Sequence, residues 1–423
     1  MIAMWYEVEG HLEIKDGILH IGGISTLDLA KEYGTPLYVY HINRALYNYD
    51  RFLNVISKFT EKEVRIHYAM KANPNKILLE ELREAGSWID AVAPGEVEFA
   101  INVGFPPEKI MYTGASVSNK DMERILSHYP GKIRINIDSF SQLRRLKRLL
   151  EEHGIETMEI SFRIDPGVRG QGGDWKTITA GKESHGVPIK FGIPENEVLL
   201  AYKEAMEYGF APVGIQMHIG SQWLSMEEVN EYLIAVERLV GKAKEVEGLG
   251  CKLEFIDFGG GPGIRYKEED NEFPLDYYAR ETCKKANELD VEALAFEPGR
   301  YIVGDCGLLL AKVNTIKERY NDTIIGVDTG FNHLIRPAFY GAYHEAIVCN
   351  KADQEPEIVA TIAGNLCETG DVLAVKRALP RIEEGDIIAF HNAGAYAASM
   401  RMDKYNLREP AKEVVIVDGN VIE

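Results

Sequence analysis

Between Val64 and Pro298 the sequence repeats one alternation eight times: a short run rich in β-branched and aromatic residues, then a polar or glycine-bearing turn. The runs are VRIHYAM, SWIDAVA, KIMYT, KIRINID, MEISFRI, VGIQMHI, LEFIDFG and EALAFEP. Amphipathic stretches such as NKILLEELREAG and SMEEVNEYLIAVERLVGKAKEVEG separate them. Strands alternating with helices imply a parallel sheet, and eight such units over roughly 250 residues imply a closed (β/α)8 barrel. Each run closes on, or just before, a polar residue or glycine: Lys71, Asp90, Thr113, Asp138, Arg163, His218, Gly259 and Glu297. In this architecture the active site lies at the carboxyl ends of the strands. Strands must end in polar loops, so several of these residues would fall there in any barrel.

The alternation stops near Tyr301. The tail (GLLLAKVNTIKER, DTIIGVD, HEAIVCN, EIVATIAG, DIIAFHN, KEVVIVDGNVIE) reads as antiparallel strands, and residues 1–41 read as short strands with one helix near Leu27–Tyr33. The organisation predicted is α/β: a barrel over 42–301 and a β-domain assembled from 1–41 and 302–423.

At 423 residues with a net charge of −19, the chain has room for both domains and lacks the cationic footprint that nucleic acid requires. The five cysteines are widely spaced and form no CxxC pair, which excludes a disulfide framework and a structural zinc site; no metal is expected and a reducing cytoplasm suits the chain. MIAMWYEVEG lacks the cationic and apolar regions of a signal peptide, and no apolar run approaches spanning length, so no membrane partner is expected.

Five features carry chemistry. Lys71, in HYAMKANPN at the end of the first barrel strand, is placed to act as a partly desolvated amine nucleophile, although a lysine leaving a strand is ordinarily solvated. FIDFGGGPG brings Gly259, Gly260 and Gly261 after the seventh strand, where barrels often bind phosphate, and FEPGR brings Gly299 and Arg300 after the eighth. Glu297 would be a carboxylate on the barrel floor; its plain alternative is a salt bridge to an arginine. His218 in MHIGSQ could stack on a flat ring, although a lone histidine is more often a satisfied core residue. Cys367, in the loop GNLCETGD, is a candidate proton donor, whereas the other four cysteines read as buried structural thiols.

In order, YAMKAN around Lys71, KFGI (Lys190–Ile193), HIGSQ (His218–Gln222), GGG (Gly259–Gly261), EPGR (Glu297–Arg300), LIRPAFYGAYHE (Leu334–Glu345), CETGD (Cys367–Asp371) and AGAY (Ala393–Tyr396) cover almost the whole chain. In this set the sequence resembles the pyridoxal-phosphate-dependent decarboxylases of the alanine racemase-like, fold type III group, specifically the diaminopimelate decarboxylases. The resemblance implies pyridoxal 5'-phosphate as cofactor and conversion of meso-diaminopimelate to L-lysine and CO2, the last step of lysine biosynthesis. It implies that Lys71 carries the cofactor, that His218 stacks on its ring and that Glu297 contacts the pyridine nitrogen. Gly259, Gly260, Gly261, Gly299 and Arg300 would lie at the phosphate side, with Tyr396 near the cofactor. Arg300, Arg336, Tyr340, Glu368 and Tyr396 would hold the amino-acid substrate, and Cys367 would return the proton. The CETGD loop of the family reaches the other subunit's site, so a homodimer with shared sites is implied. From strand position, Asp90 and Arg163 are expected to pair beneath the ring.

The segment before KFGI is longer than in the family, with HGVP inserted, and WIDAVAPGE replaces a commoner apolar-Ser-Gly-Gly run. Both put fine specificity, rather than reaction class, in question. The nearest rivals are decarboxylases of ornithine, arginine, D-lysine or carboxynorspermidine. Arg336 beside Tyr340 argues for a distal carboxylate, which ornithine lacks. A non-catalytic homologue is disfavoured by retention of Lys71 and Cys367.

Overall fold

A computed structural model describes residues 4–128, 133–170 and 172–423, which divide into two compact units. One comprises 49–263 and 271–299; the other comprises the N-terminal segment to Asn48, 264–270 and Arg300–Glu423. The short stretches 42–48 and 264–270 group with the second unit through specific bonds. Arg44 and Asn48 both bond to Asp305, and the Asn392 amide donates to the Arg265 carbonyl.

The first unit is the closed barrel. Its strands are β1 (Glu63–Ala69), β2 (Trp88–Ala91), β3 (Ile110–Tyr112), β4 (Arg134–Ile137), β5 (Glu159–Asp165), β6 (Ala211–Gln216), β7 (Phe255–Asp257) and β8 (Ala293–Phe296). All neighbours pair in parallel, and β8 pairs with β1 to close the ring. The eight runs read from sequence are these eight strands. β8 (ALAF) is buried at every position because helices cover one face and the barrel interior the other.

Local chemistry starts the surrounding helices. Asn75 caps Lys76–Glu84 by accepting from the amides of Ile77 and Leu78, and Ser139 caps Phe140–Glu152 through Gln142. Ser225 and Glu228 form a capping box on Met226–Glu247, whose Val229, Tyr232, Val236, Leu239 and Ala243 turn inward. At the amino ends of the strands, Arg65 and Arg134 share Glu254, with Glu63 and Glu159 at the flanks. These ion pairs lie at the end of the barrel opposite the carboxyl ends of the strands, where function is expected.

The second unit is built on Gly307–Arg319, a long strand that pairs antiparallel with Leu37–His41, with Asp322–Val327 and with Ile387–Phe390. Two pairings are parallel, Asp322–Val327 with Ile358–Ala363 and Lys412–Val417 with Leu37–His41, so the domain is mixed where the sequence read as antiparallel. Alternation of polar and apolar residues fixes a strand's faces but not its partner's direction. Of the N-terminal strands only Leu37–His41 enters this sheet; Leu12–Lys15, Ile18–Ile21 and Ile24–Ser25 form a small sheet of their own. Leu19, Ile21, Leu37, Val39, Leu308, Leu310, Ile387 and Ile416 share one core.

Candidate active site

Lys71 lies in the 3-10 turn Met70–Ala72 that follows β1. Its Nζ is 3.0 Å from Oδ2 of Asp90, which is 1% exposed at the end of β2. The amine is therefore ion-paired rather than simply desolvated, and 37% of the lysine side chain remains open. Asp90 was expected to meet Arg163, but that contact is not made. Arg163 stacks its guanidinium 4.5 Å from the centre of the Phe191 ring. Burial lowers the Arg163 pKa against the pull of Asp138, Glu297 and Asp90. Strand position predicted which side chains point upward but not which neighbours they choose.

Glu297 is buried just past β8, and the Gln216 side-chain amide at the end of β6 donates to both its carboxylate oxygens, at 3.0 and 3.1 Å. Burial holds this carboxyl well above the ordinary range, with Asp257 and Asp90 pushing the same way and Lys71 and Arg163 opposing. Such a group ionises readily only when a further cation faces it. His218, two residues beyond β6, accepts the Gly260 N–H on Nδ1 at 3.1 Å. Burial, then Lys71 and Arg163, hold its imidazole well below the usual histidine range, so the ring is neutral with its proton on Nε2.

The glycine run is imposed by packing. A Cβ on Gly259 would stand 2.2 Å from the Met217 carbonyl, one on Gly260 2.4 Å from the Glu297 carbonyl, and one on Gly261 2.2 Å from the Trp223 ring. The amide of Gly259 donates to Asp257 and that of Gly260 to His218. These two amides are thus committed within the protein, where the sequence suggested anion donors. Gly299 lets the eighth-strand loop approach Ala69 and Ala72 beside Lys71.

In the other unit, Arg300, Arg336 and Tyr266 cluster. Arg300 Nη1 donates to the Tyr266 hydroxyl at 2.7 Å, and the Arg336 guanidinium lies 4.7 Å from the centre of the same ring. Tyr396, with φ +57°, offers its ring 5.0 Å from the Arg300 guanidinium. Tyr340 ends the short helix Arg336–Tyr340 and packs edge-on against Phe339. Arg336 Nη1 also donates to His344. Burial, with Arg300 adding, brings the Arg336 guanidinium down to about 10 against the opposing Tyr266.

Cys367 and Glu368 occupy the loop between Ile358–Ala363 and Val372–Leu379. Asp371 fixes this loop by accepting from the amides of Phe331 and Leu366 at 2.7 and 2.8 Å. The Cys367 thiol is exposed and receives the Asn406 amide at 3.2 Å, and Tyr405 donates to Glu368. The other four cysteines are buried. Among the described residues no helix is long and apolar enough to cross a membrane.

Gln216, Asp257, Tyr266 and His344 were not singled out from sequence. Gln216 had a signal, because it closes β6 two residues before His218, where the barrel opens; Tyr266 had none, being in a loop without period.

Comparison with known proteins gives consistent findings. The family model described as "Pyridoxal-dependent decarboxylase, pyridoxal binding domain" matches residues 41–304. The chain is 44% identical to a diaminopimelate decarboxylase of Methanothermobacter thermautotrophicus, over 97% of this chain and 93% of that one. It is 38% identical to a diaminopimelate decarboxylase of Archaeoglobus fulgidus, over 95% and 92%. A crystal structure of diaminopimelate decarboxylase from M. jannaschii with L-lysine superposes with a TM-score of 0.88 at 32% identity, covering 97% of this chain and 94% of that one.

Proposed function

The chain belongs to the pyridoxal-dependent decarboxylases, and from that premise we propose that it removes one carboxylate of meso-diaminopimelate as CO2 and releases L-lysine. The observation that carries the substrate is the convergence of Arg300 and Arg336, both buried, on Tyr266. Arginines suit a carboxylate remote from the reacting carbon, and ornithine brings none there.

The residues of the barrel fit pyridoxal 5'-phosphate. Lys71 would supply the amine that holds the cofactor, and Asp90, 3.0 Å away, would keep that amine in place. Neutral His218 offers the ring a flat face without adding charge. Glu297, held by Gln216, would face the pyridine nitrogen, and a protonated ring would be the cation its environment calls for. Gly259, Gly260 and Gly261 would form the loop on the phosphate side, and Gly299 and Arg300 would supply the second loop there. Bound in this way, the cofactor supplies a sink for the electron pair left when CO2 departs.

Arg300, Arg336, Tyr340 and Tyr396 hold the substrate, and Glu368 takes its distal ammonium. Cys367 gives a proton to the carbon that lost CO2. Exposure of Cys367 on its own chain supports its acting in the site of a second copy, so the working unit is a homodimer. Free cysteines suit the cytoplasm.

The test is to load the protein with pyridoxal phosphate and measure CO2 from meso-diaminopimelate, L-ornithine, L-arginine and L-lysine. Release from meso-diaminopimelate far above the rest is expected. Equal or greater release from ornithine overturns the substrate.

A further inference from the structure

Arg300 and Arg336 carry like charges, are 7% and 6% exposed, and converge on one aromatic ring. Like charges in a buried site repel, so something must hold them in register. Tyr266 does so between them: its hydroxyl accepts from Arg300 and its ring face meets Arg336. Burial raises the Tyr266 phenol, yet Arg300 and Arg336 outweigh it and leave its pKa below the ordinary value.

His344 packs edge-on against the same Tyr266 ring, the ring centres 5.4 Å apart; Arg336 Nη1 is 2.9 Å from His344 Nε2, and His344 Nδ1 is 2.8 Å from the His391 carbonyl. A carbonyl only accepts, so the His344 proton is on Nδ1. Nε2 therefore carries a lone pair and accepts from the guanidinium. Burial first, then Arg336, hold His344 well below its ordinary range, which keeps that lone pair available. A carboxylate in either place would cancel the charge that an incoming anion needs. Tyr266 and His344 orient the arginines without cancelling it.

We propose that Tyr266 and His344 are positioning residues that set Arg300 and Arg336 as a preformed clamp for a carboxylate, and so confer preference for ligands that keep a distal carboxylate. This rests on the diaminopimelate reading for the identity of the ligand.

Calorimetric titration of the cofactor-loaded protein with L-lysine, which has a carboxylate, and cadaverine, which has none, tests it. His344→Asn keeps the donor to His391 and loses the acceptor for Arg336; His344→Gln can restore that acceptor. H344N should weaken L-lysine by about tenfold and leave cadaverine unchanged, whereas H344Q should stay within about threefold of the parent. Tyr266→Phe should also weaken L-lysine selectively. With meso-diaminopimelate, H344N should raise KM and leave kcat nearly intact. L-lysine binding unchanged in both H344N and Y266F, or a loss shared equally by cadaverine, overturns the proposal. If the parent releases no CO2 from diaminopimelate, the substrate reading fails, while the two binding titrations still judge the clamp.

Discussion

Gln216 Nε2, fully buried at the end of β6, donates to both oxygens of the Glu297 carboxylate just past β8. The bond fixes the plane of the carboxylate. Burial first, then Asp257 and Asp90, raise the cost of charge on Glu297, so on the proposed reading the group would need a cationic ring opposite it.

Glu297→Gln should fold and take up cofactor but lose at least about 100-fold in kcat, because a neutral amide cannot keep the ring nitrogen protonated. Gln216→Leu should lose less, about tenfold, since the carboxylate remains but is free to turn. Steady-state CO2 release beside the cofactor absorbance separates these. Unchanged turnover in E297Q would remove Glu297 from the ring.

The eight strand–helix units were legible because burial on both faces of a parallel sheet leaves continuous apolar runs, and those runs end where the barrel opens. The positions of Lys71, His218 and Glu297 just past the strands were legible for the same reason. Partner choice was not: Asp90 meets Lys71 rather than Arg163, a matter of side-chain reach across strands that carries no period. Nor did the glycine run disclose that Trp223 and the carbonyls of Met217 and Glu297 crowd it. Tyr266 reaches Arg300 from 34 residues away, a contact to which no local pattern points, whereas His344 lies eight residues from Arg336 within LIRPAFYGAYHE but carries no mark there of the bond it makes.

Gly261 has φ +132°, and a Cβ there would stand 2.2 Å from the Trp223 ring. Gly261→Ala should therefore cost about 1–3 kcal/mol by overpacking and weaken cofactor binding by displacing the turn. Differential scanning calorimetry and a cofactor titration check both effects. Trp223→Leu in the same chain should recover part of the stability, because it vacates the space; no recovery would mean that backbone strain alone is responsible.

Lys71→Ala and Cys367→Ala should each be nearly inactive as pure proteins. If each site takes Lys71 from one chain and Cys367 from the other, mixing the two under subunit exchange rebuilds one intact site per mixed dimer. Random pairing makes half the dimers mixed, so about a quarter of parental activity should return. Exchange is followed by native mass spectrometry of tagged chains. Verified exchange with no recovered activity would confine Cys367 to its own chain, or remove it from the reaction.

His11 supplies a test of stability that is independent of the active site. Its Nε2 is 2.9 Å from the Asp305 carbonyl and must donate, so Nδ1 is the acceptor in the 3.0 Å contact with His41 Nδ1. Burial lowers the His11 pKa to about 4, Arg44 and His41 adding to the shift and Asp305 opposing it. The unfolded imidazole titrates near 6.5, so between about pH 6.5 and 4 the unfolded chain binds a proton that the folded chain refuses. Stability from this site is therefore complete above about pH 7 and falls as pH drops through that window, by on the order of 3 kcal/mol. His41, also buried and lowered, adds in the same direction. His11→Gln keeps an amide to donate to Asp305 but cannot titrate. Its thermal midpoint should start lower at pH 7.5 and decline less steeply toward pH 4.5 than that of the parent. Parallel curves would show that His11 takes up its proton equally in both states.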